Sequence, residues 1–251
     1  MAIYHLDNRR TLMLPGNAAQ TLAFAVKDWI DKAKAAIDNH GYFAVALSGG
    51  STPKKIFKEL STKHTSSIDW GKVYLFWSDE RSVLPTSEES NFHMAMIEGG
   101  LSALLIKPEN IFRMEAEKEL EANAHAYEQK IKQKLEGRGF DLIMLGMGDD
   151  GHTASLFPRT EGVKKKGALV VPNYVPQKET WRMSFTYELI NNASSICLYV
   201  LGENKAAILH KVLFSPLDIN TYPSQGVGSM SHKATWIIDE DASQNILAEL
   251  K

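Results

Sequence analysis

The chain has one cysteine, Cys197, in 251 residues, so no internal disulfide can staple it. That suits a reducing compartment. Its place in the apolar run 196–201 reads as a buried core thiol. Positive charge is not in excess, since 28 Lys and Arg stand against 30 Asp and Glu for a formal net charge of −2. Proteins that grip nucleic acid through its phosphates are normally strongly basic, so no nucleic-acid partner is expected. A local basic pocket for a small anion stays open. No apolar run approaches the ~20 residues of a membrane span. The N-terminus shows no basic segment followed by an apolar one. The expected location is therefore cytoplasmic, with no membrane partner. No internal repeat and no Gly/Ser-rich linker is evident, so a single domain over residues 1–251 is expected. A chain of this length buries about three-quarters of its unfolded surface and needs neither metal nor disulfide to fold.

Several site motifs are missing too. No Gly-Lys-Ser/Thr follows a glycine loop at P-loop spacing, and no histidine pair has helical metal spacing. No Gly-x-Gly-x-x-Gly opens a helix. Gly146-Met147-Gly148 runs instead into Asp149 and Asp150, which would repel a pyrophosphate.

What is present is an alternation of apolar runs and amphipathic stretches. Residues 1–16 read as a lead-in strand and a turn at Pro15-Gly16. Asn17 is placed to cap a long helix in which Leu22, Val26, Ile30, Ala33 and Ile37 recur at helical spacing, and Gly41 is placed to end it. Apolar runs at 42–47, 73–77, 140–145 and 196–201 have the continuous character of parallel strands covered on both faces. Helices are expected at 53–60, 90–105, 117–136 and 206–213, with a last one over 241–250. Short strands are expected at 111–114, 168–171, 181–186 and 234–238, the pair between 168 and 186 separated by Pro172 and Pro176 and open to antiparallel pairing. The fold class is α/β: a three-layer α/β/α arrangement around a mostly parallel, Rossmann-like sheet.

Four inferred strand ends carry unusual loops: Ser48-Gly49-Gly50-Ser51-Thr52-Pro53, Ser78-Asp79-Glu80-Arg81, Gly148-Asp149-Asp150-Gly151-His152 and Gly202-Glu203-Asn204-Lys205. In a parallel sheet all such ends lie on one edge, where ligands bind. The first loop opens a helix, with free N–H groups, two hydroxyls and the positive dipole end suited to a phosphate. Arg81 and Lys205 add cationic donors. Asp150 beside His152 makes a credible acid/base pair, because a carboxylate fixes the tautomer of the imidazole and supports its protonated form. None of the other seven histidines of the chain has a comparable setting.

The segment from Gly148 through His152-Thr153-Ala154-Ser155-Leu156-Phe157-Pro158 resembles the signature of the 6-phosphogluconolactonase family, within the superfamily of glucosamine-6-phosphate isomerases. Residues 47–53, Trp77-Ser78-Asp79-Glu80-Arg81 with Ser90-Asn91, and Gly202-Glu203-Asn204-Lys205-Ala206 are similar to its other motifs, in the same order. The resemblance implies a glucosamine-6-phosphate isomerase-like fold and hydrolysis of 6-phospho-D-glucono-1,5-lactone, without metal or organic cofactor. It implies that His152 is the general base and Asp150 its orienting partner. Arg81 and Lys205 would hold the phosphate, helped by Gly49, Gly50, Ser51 and Thr52. Arg182 and Asp79 would make weaker substrate contacts. The resemblance names a sugar-phosphate lactone as partner. It leaves the oligomeric state open, with a monomer favoured. Two alternatives remain: a glucosamine-6-phosphate deaminase/isomerase-like enzyme and a non-catalytic sugar-phosphate sensor. The deaminases carry a glutamate where this chain has Phe157. The sensors carry an added DNA-binding helix-turn-helix, for which the ~40 residues before the first glycine loop leave no room. Pro223-Ser224-Gln225 matches the family only loosely.

Overall fold

A computed structural model of the chain describes residues 1–250. It begins with two strands, β1 (Ala2–His5) and β2 (Arg10–Leu14), where the sequence predicts one. They pair antiparallel because Asp7 closes the turn between them, accepting hydrogen bonds from the Arg9 N–H and the Arg10 Nε, both at 2.8 Å. Helix α1 (Ala18–His40) starts at a capping box between Asn17 and Gln20 and ends at Gly41, whose φ of 94° is the left-handed stop the sequence predicts. Strand β3 (Phe43–Leu47), helix α2 (Ser51–Lys63), strand β4 (Val73–Trp77), strand β5 (Asp79–Arg81) and the one-turn helix α3 (Asn91–His93) follow. Then come α4 (Leu120–Leu135), β6 (Leu142–Gly146), α5 (Glu161–Lys164), β7 (Val170–Val175) and β8 (Thr180–Phe185). The last elements are α6 (Tyr187–Ile190), β9 (Ile196–Val200), α7 (Ala206–Phe214), β10 (Ala234–Ile238) and α8 (Glu240–Ser243).

Seven strands form the main sheet in the order β1-β2-β10-β9-β6-β3-β4, with every pairing but β1–β2 parallel. A second, antiparallel sheet has the order β5-β8-β7. One face of the main sheet is sealed by Trp29 of α1, edge-on to Phe43 at 5.0 Å and stacked on Trp70. Successive residues of a strand point to opposite faces, so Phe76 faces the other way. It stacks on Phe112 at 4.5 Å and meets Phe140 edge-on. Tyr127 of α4 packs there too, its hydroxyl accepting from the Trp77 N–H at 2.9 Å and donating to the Phe112 carbonyl at 2.9 Å. No helix among the described residues is long and apolar enough to cross a membrane.

Four sequence expectations fail locally. The helix expected over 90–105 breaks into α3, a π turn (Met94–Glu98) and a 3-10 turn (Leu101–Ala103). The Gly99 N–H reaches back five residues to the Met94 carbonyl at 2.7 Å, and Gly100 turns left-handed at φ 77°. The strand expected over 111–114 is a single bridge from Ile111 to Leu75. The final helix stops at Ser243, after which the chain continues in three-residue turns such as Ile246 N–H to Ser243 carbonyl. Pro172 lies inside β7 rather than between strands, which its missing N–H permits because β7 is at the edge of its sheet.

Candidate active site

From β3 the chain moves outward to β4 on one side and to β6, β9 and β10 on the other. The strand order therefore reverses at β3 and β6, and a crevice opens beyond their carboxyl ends. A cavity of about 210 Å³ lies there, lined by Ser48 to Pro53, Asp79, Arg81, His152 and Lys205 among others. Two larger hollows, about 530 and 650 Å³, lie between α4 and β7 and between α1 and α2, and hold none of the residues the motifs single out.

The anion-binding side follows from the turn after β3. Gly50 caps α2 at φ 106° and offers no side-chain acceptor to the helix. The N–H groups of the first turn have no intrahelical acceptors, so those of Ser51 and Thr52 are available to a ligand. Gly49 is packed against Asn91, where a Cβ would lie 2.0 Å from the amide oxygen.

Arg81 lines the cavity from β5, its Nη1 donating to the Glu89 carbonyl at 2.7 Å. The β5–β8 register sets Arg182 directly opposite Arg81. Arg182 is not among the residues that line the cavity. Burial, followed by the charge of Arg81, pulls its pKa below the ordinary arginine value. Both Nε groups are buried without a hydrogen-bond partner among the described residues. Two adjacent guanidiniums with unused donors have the chemistry that suits an anion. Across the cavity Lys205 pairs with Asp149. Its loop is held by Asp239, which accepts from the Gly202 N–H at 3.0 Å.

The acid/base side is a tight loop after β6. The Gly148 N–H donates to the His152 carbonyl at 2.9 Å, and the Gly151 N–H to the Gly148 carbonyl at 3.0 Å. One carboxylate oxygen of Asp150 accepts the His152 N–H at 3.0 Å and meets Nδ1 at 2.6 Å. Burial pushes the Asp150 pKa up, but the hydrogen bond and charge of His152 outweigh it and hold the carboxyl below its usual value. An ionised carboxylate only accepts, so in the neutral ring Nδ1 carries the proton and Nε2 keeps the lone pair. Gly148 has to be glycine, because a Cβ there would lie 2.1 Å from Nδ1 and Cε1 of His152. Gly148→Ala is therefore expected to displace the ring and lower kcat by about 10-fold or more, in keeping with the cost of ångström-scale misplacement. Steady-state kinetics beside a thermal melt would check it, and normal turnover in that variant would contradict the packing argument.

Asp79 is buried and serves mainly as a joint. It accepts from Ser155 Oγ at 2.6 Å and Asn91 Nδ2 at 3.2 Å, which ties β5 and α3 to the loop that follows His152. Asp79→Ala leaves both donors without it and is expected to cost about 1–3 kcal/mol of stability, read from urea denaturation. An unchanged midpoint would remove it from the framework.

The structure thus brings Gly49, Gly50, Ser51, Thr52, Asp79, Arg81, His152 and Lys205 to one cavity. Asp150 supports it through His152, and Arg182 through Arg81. Sequence reasoning passed over Met147, Ala154, Tyr199 and Leu201 in the lining; apolar residues in apolar runs carry no distinguishing signal. It also left open what Ser224 does. The Ser224 N–H donates to the Gly151 carbonyl at 2.9 Å and its hydroxyl to the His152 carbonyl at 3.2 Å. The loosely matching segment thus buttresses the histidine loop.

Fold and site together define an α/β protein with a helix N-terminus, cationic side chains and an Asp–His pair gathered at the switch point of a parallel sheet. The model of the family of glucosamine-6-phosphate isomerases and 6-phosphogluconolactonase matches residues 16–236, and the chain belongs to that family. It is 40% identical to a 6-phosphogluconolactonase of Chlamydia pneumoniae over 96% of this chain and 92% of that one. To a 6-phosphogluconolactonase of Treponema pallidum it is 43% identical, over 68% of this chain and 73% of the other. Among solved structures, the 6-phosphogluconolactonase of Trypanosoma cruzi superposes with a TM-score of 0.81 at 25% identity, covering 94% of this chain and 96% of that one.

Proposed function

We propose that the protein hydrolyses 6-phospho-D-glucono-1,5-lactone to 6-phospho-D-gluconate, the second step of the oxidative pentose phosphate pathway. The observation that carries this reading is the placement of His152, with Nδ1 held by Asp150, in the same cavity as the α2 N-terminus and Arg81. The relatives that bear the lactonase name support it.

A lactone is an activated ester in a ring, so a water made nucleophilic by a base suffices. Nε2 of His152 takes a proton from that water as its oxygen bonds to the carbonyl carbon. The carbonyl electrons move to its oxygen, which gives a tetrahedral oxyanion. The tetrahedral centre then collapses, the bond from carbon to the ring oxygen breaks, and the leaving oxygen takes the proton back from the imidazolium. Asp150 stabilises the protonated ring throughout. The phosphate sits on the N–H groups of Ser51 and Thr52 and on Arg81, with Arg182 adding charge from β8. It draws Lys205 from Asp149. That remote anchoring positions the lactone for attack. Each step uses protein groups and water, with no cofactor.

The alternative deaminase chemistry requires a proton-transferring carboxylate where this chain has Phe157, whose ring stacks on His152. An assay of freshly prepared lactone against glucosamine 6-phosphate, corrected for spontaneous lactone opening, tests the choice. Turnover of the amino sugar alone would overturn the reading, and turnover of neither would favour a sensor. The proposal extends to a cytoplasmic protein of one domain, its oligomeric state open with a monomer favoured.

A further inference from the structure

The imidazole of His152 has a second contact beside its hydrogen bond to Asp150. Asp150 is one exposed carboxylate, with 41% of its side chain open to solvent. A single contact to such a group leaves the ring free to tilt. The second contact is Phe157, whose ring lies 3.8 Å from the imidazole centroid at an interplanar angle of 19°. Four residues separate them, and a reversal brings them together. Ala154 adopts a left-handed φ of 47°, and the Leu156 N–H closes on the Thr153 carbonyl at 2.9 Å.

Phe157 is itself fixed from the second sheet. Its carbonyl accepts from Thr160 Oγ1 at 2.8 Å. That hydroxyl is held by Asn173 Nδ2 of β7 at 2.9 Å, and Asn173 also binds the Ser155 carbonyl at 2.8 Å and the Gly162 N–H at 2.9 Å. Asn173 and Thr160 are both buried. The rigidity of the antiparallel sheet is thereby passed to the phenyl ring.

We propose that Phe157 is a positioning residue for the reaction. Its ring is a platform that holds the His152 imidazole with Nδ1 on Asp150 and Nε2 turned to the substrate. The small sheet serves as the mount for that platform. This rests on His152 acting as the base in lactone hydrolysis. A platform beneath a base affects the chemical step and leaves the phosphate anchor alone, so kcat and KM separate.

The test compares wild type, Phe157→Leu and Phe157→Tyr with the lactone as substrate. It includes binding of 6-phosphogluconate by calorimetry, thermal melts and the imidazole NMR signals of His152. Phe157→Leu is expected to lower kcat by about 10–100-fold, the effect of ångström-scale misplacement, with KM and product binding within about twofold. Phe157→Tyr restores an aromatic face and is expected to recover kcat to within about threefold. The His152 ring protons, shifted upfield in wild type by the ring current of Phe157, should move downfield in the leucine variant and stay in the tyrosine variant. Unchanged kcat in Phe157→Leu would overturn the proposal. So would an equal loss in both variants, or a loss that follows melting temperature and binding together. Lack of lactonase activity in the wild type would defeat the functional reading instead. The NMR comparison would still report whether the stacking exists.

Discussion

His152→Ala is expected to lower kcat for the lactone by at least ~100-fold while KM and product binding stay near normal. A general base in hydrogen-bond reach of its water contributes ~10²–10⁴-fold. The alanine variant has no other group to take over. Asp150 is the neighbouring carboxylate; it loses the imidazole that holds its pKa down, but even an ordinary carboxylate is a far weaker base than an imidazole. On the proposed assignment the phosphate sits on the α2 terminus and Arg81, groups distinct from His152, so affinity for 6-phosphogluconate should survive. Stopped-time assays against the spontaneous opening rate, with calorimetry on the same sample, make the comparison. Near-normal turnover would remove His152 from the mechanism.

Arg81→Ala is expected to raise KM by about 10–100-fold with a much smaller change in kcat. A hydrogen bond to a charged group contributes about 1.5–3 kcal/mol, and each 1.4 kcal/mol is tenfold in affinity. The effect should fall toward the lower end, because Arg182 stands directly opposite on β8 and keeps part of the positive charge. Arg81→Lys should lie between, since an ammonium cannot reproduce the guanidinium fork. The double replacement of Arg81 and Arg182 should exceed either single one. An unchanged KM in Arg81→Ala would place the phosphate elsewhere.

Much of the scaffold was legible because its signals are local. The continuous apolar runs that became β3, β4, β6 and β9 are all but fully buried, and Asn17 and Gly41 bracket α1 as their chemistry requires. The failures are places where long-range packing overrules local preference. Residues 90–105 have the composition of a helix, yet Gly99 is pressed against Phe57, where even a Cβ would lie 2.8 Å away, and the winding changes to fit. Pro172 looks like a strand breaker until its edge position is known.

For the site, the chemical types were readable from the loops after the strands. Glycines precede a helix, a carboxylate stands two residues before a histidine, and cations follow two strand ends. Those features depend on neighbours in the chain, so the sequence determined them unaided. Only the tertiary structure decided which groups meet. The reversal of strand order at β3 and β6 makes the crevice. The antiparallel register sets Arg182 opposite Arg81. The left-handed turn at Ala154 carries Phe157 over His152, and Ser224 arrives from 72 residues away to brace the His152 carbonyl. Each of these is a pairing or a close approach whose energy depends on a partner outside the local window, so periodicity and composition carry no trace of it.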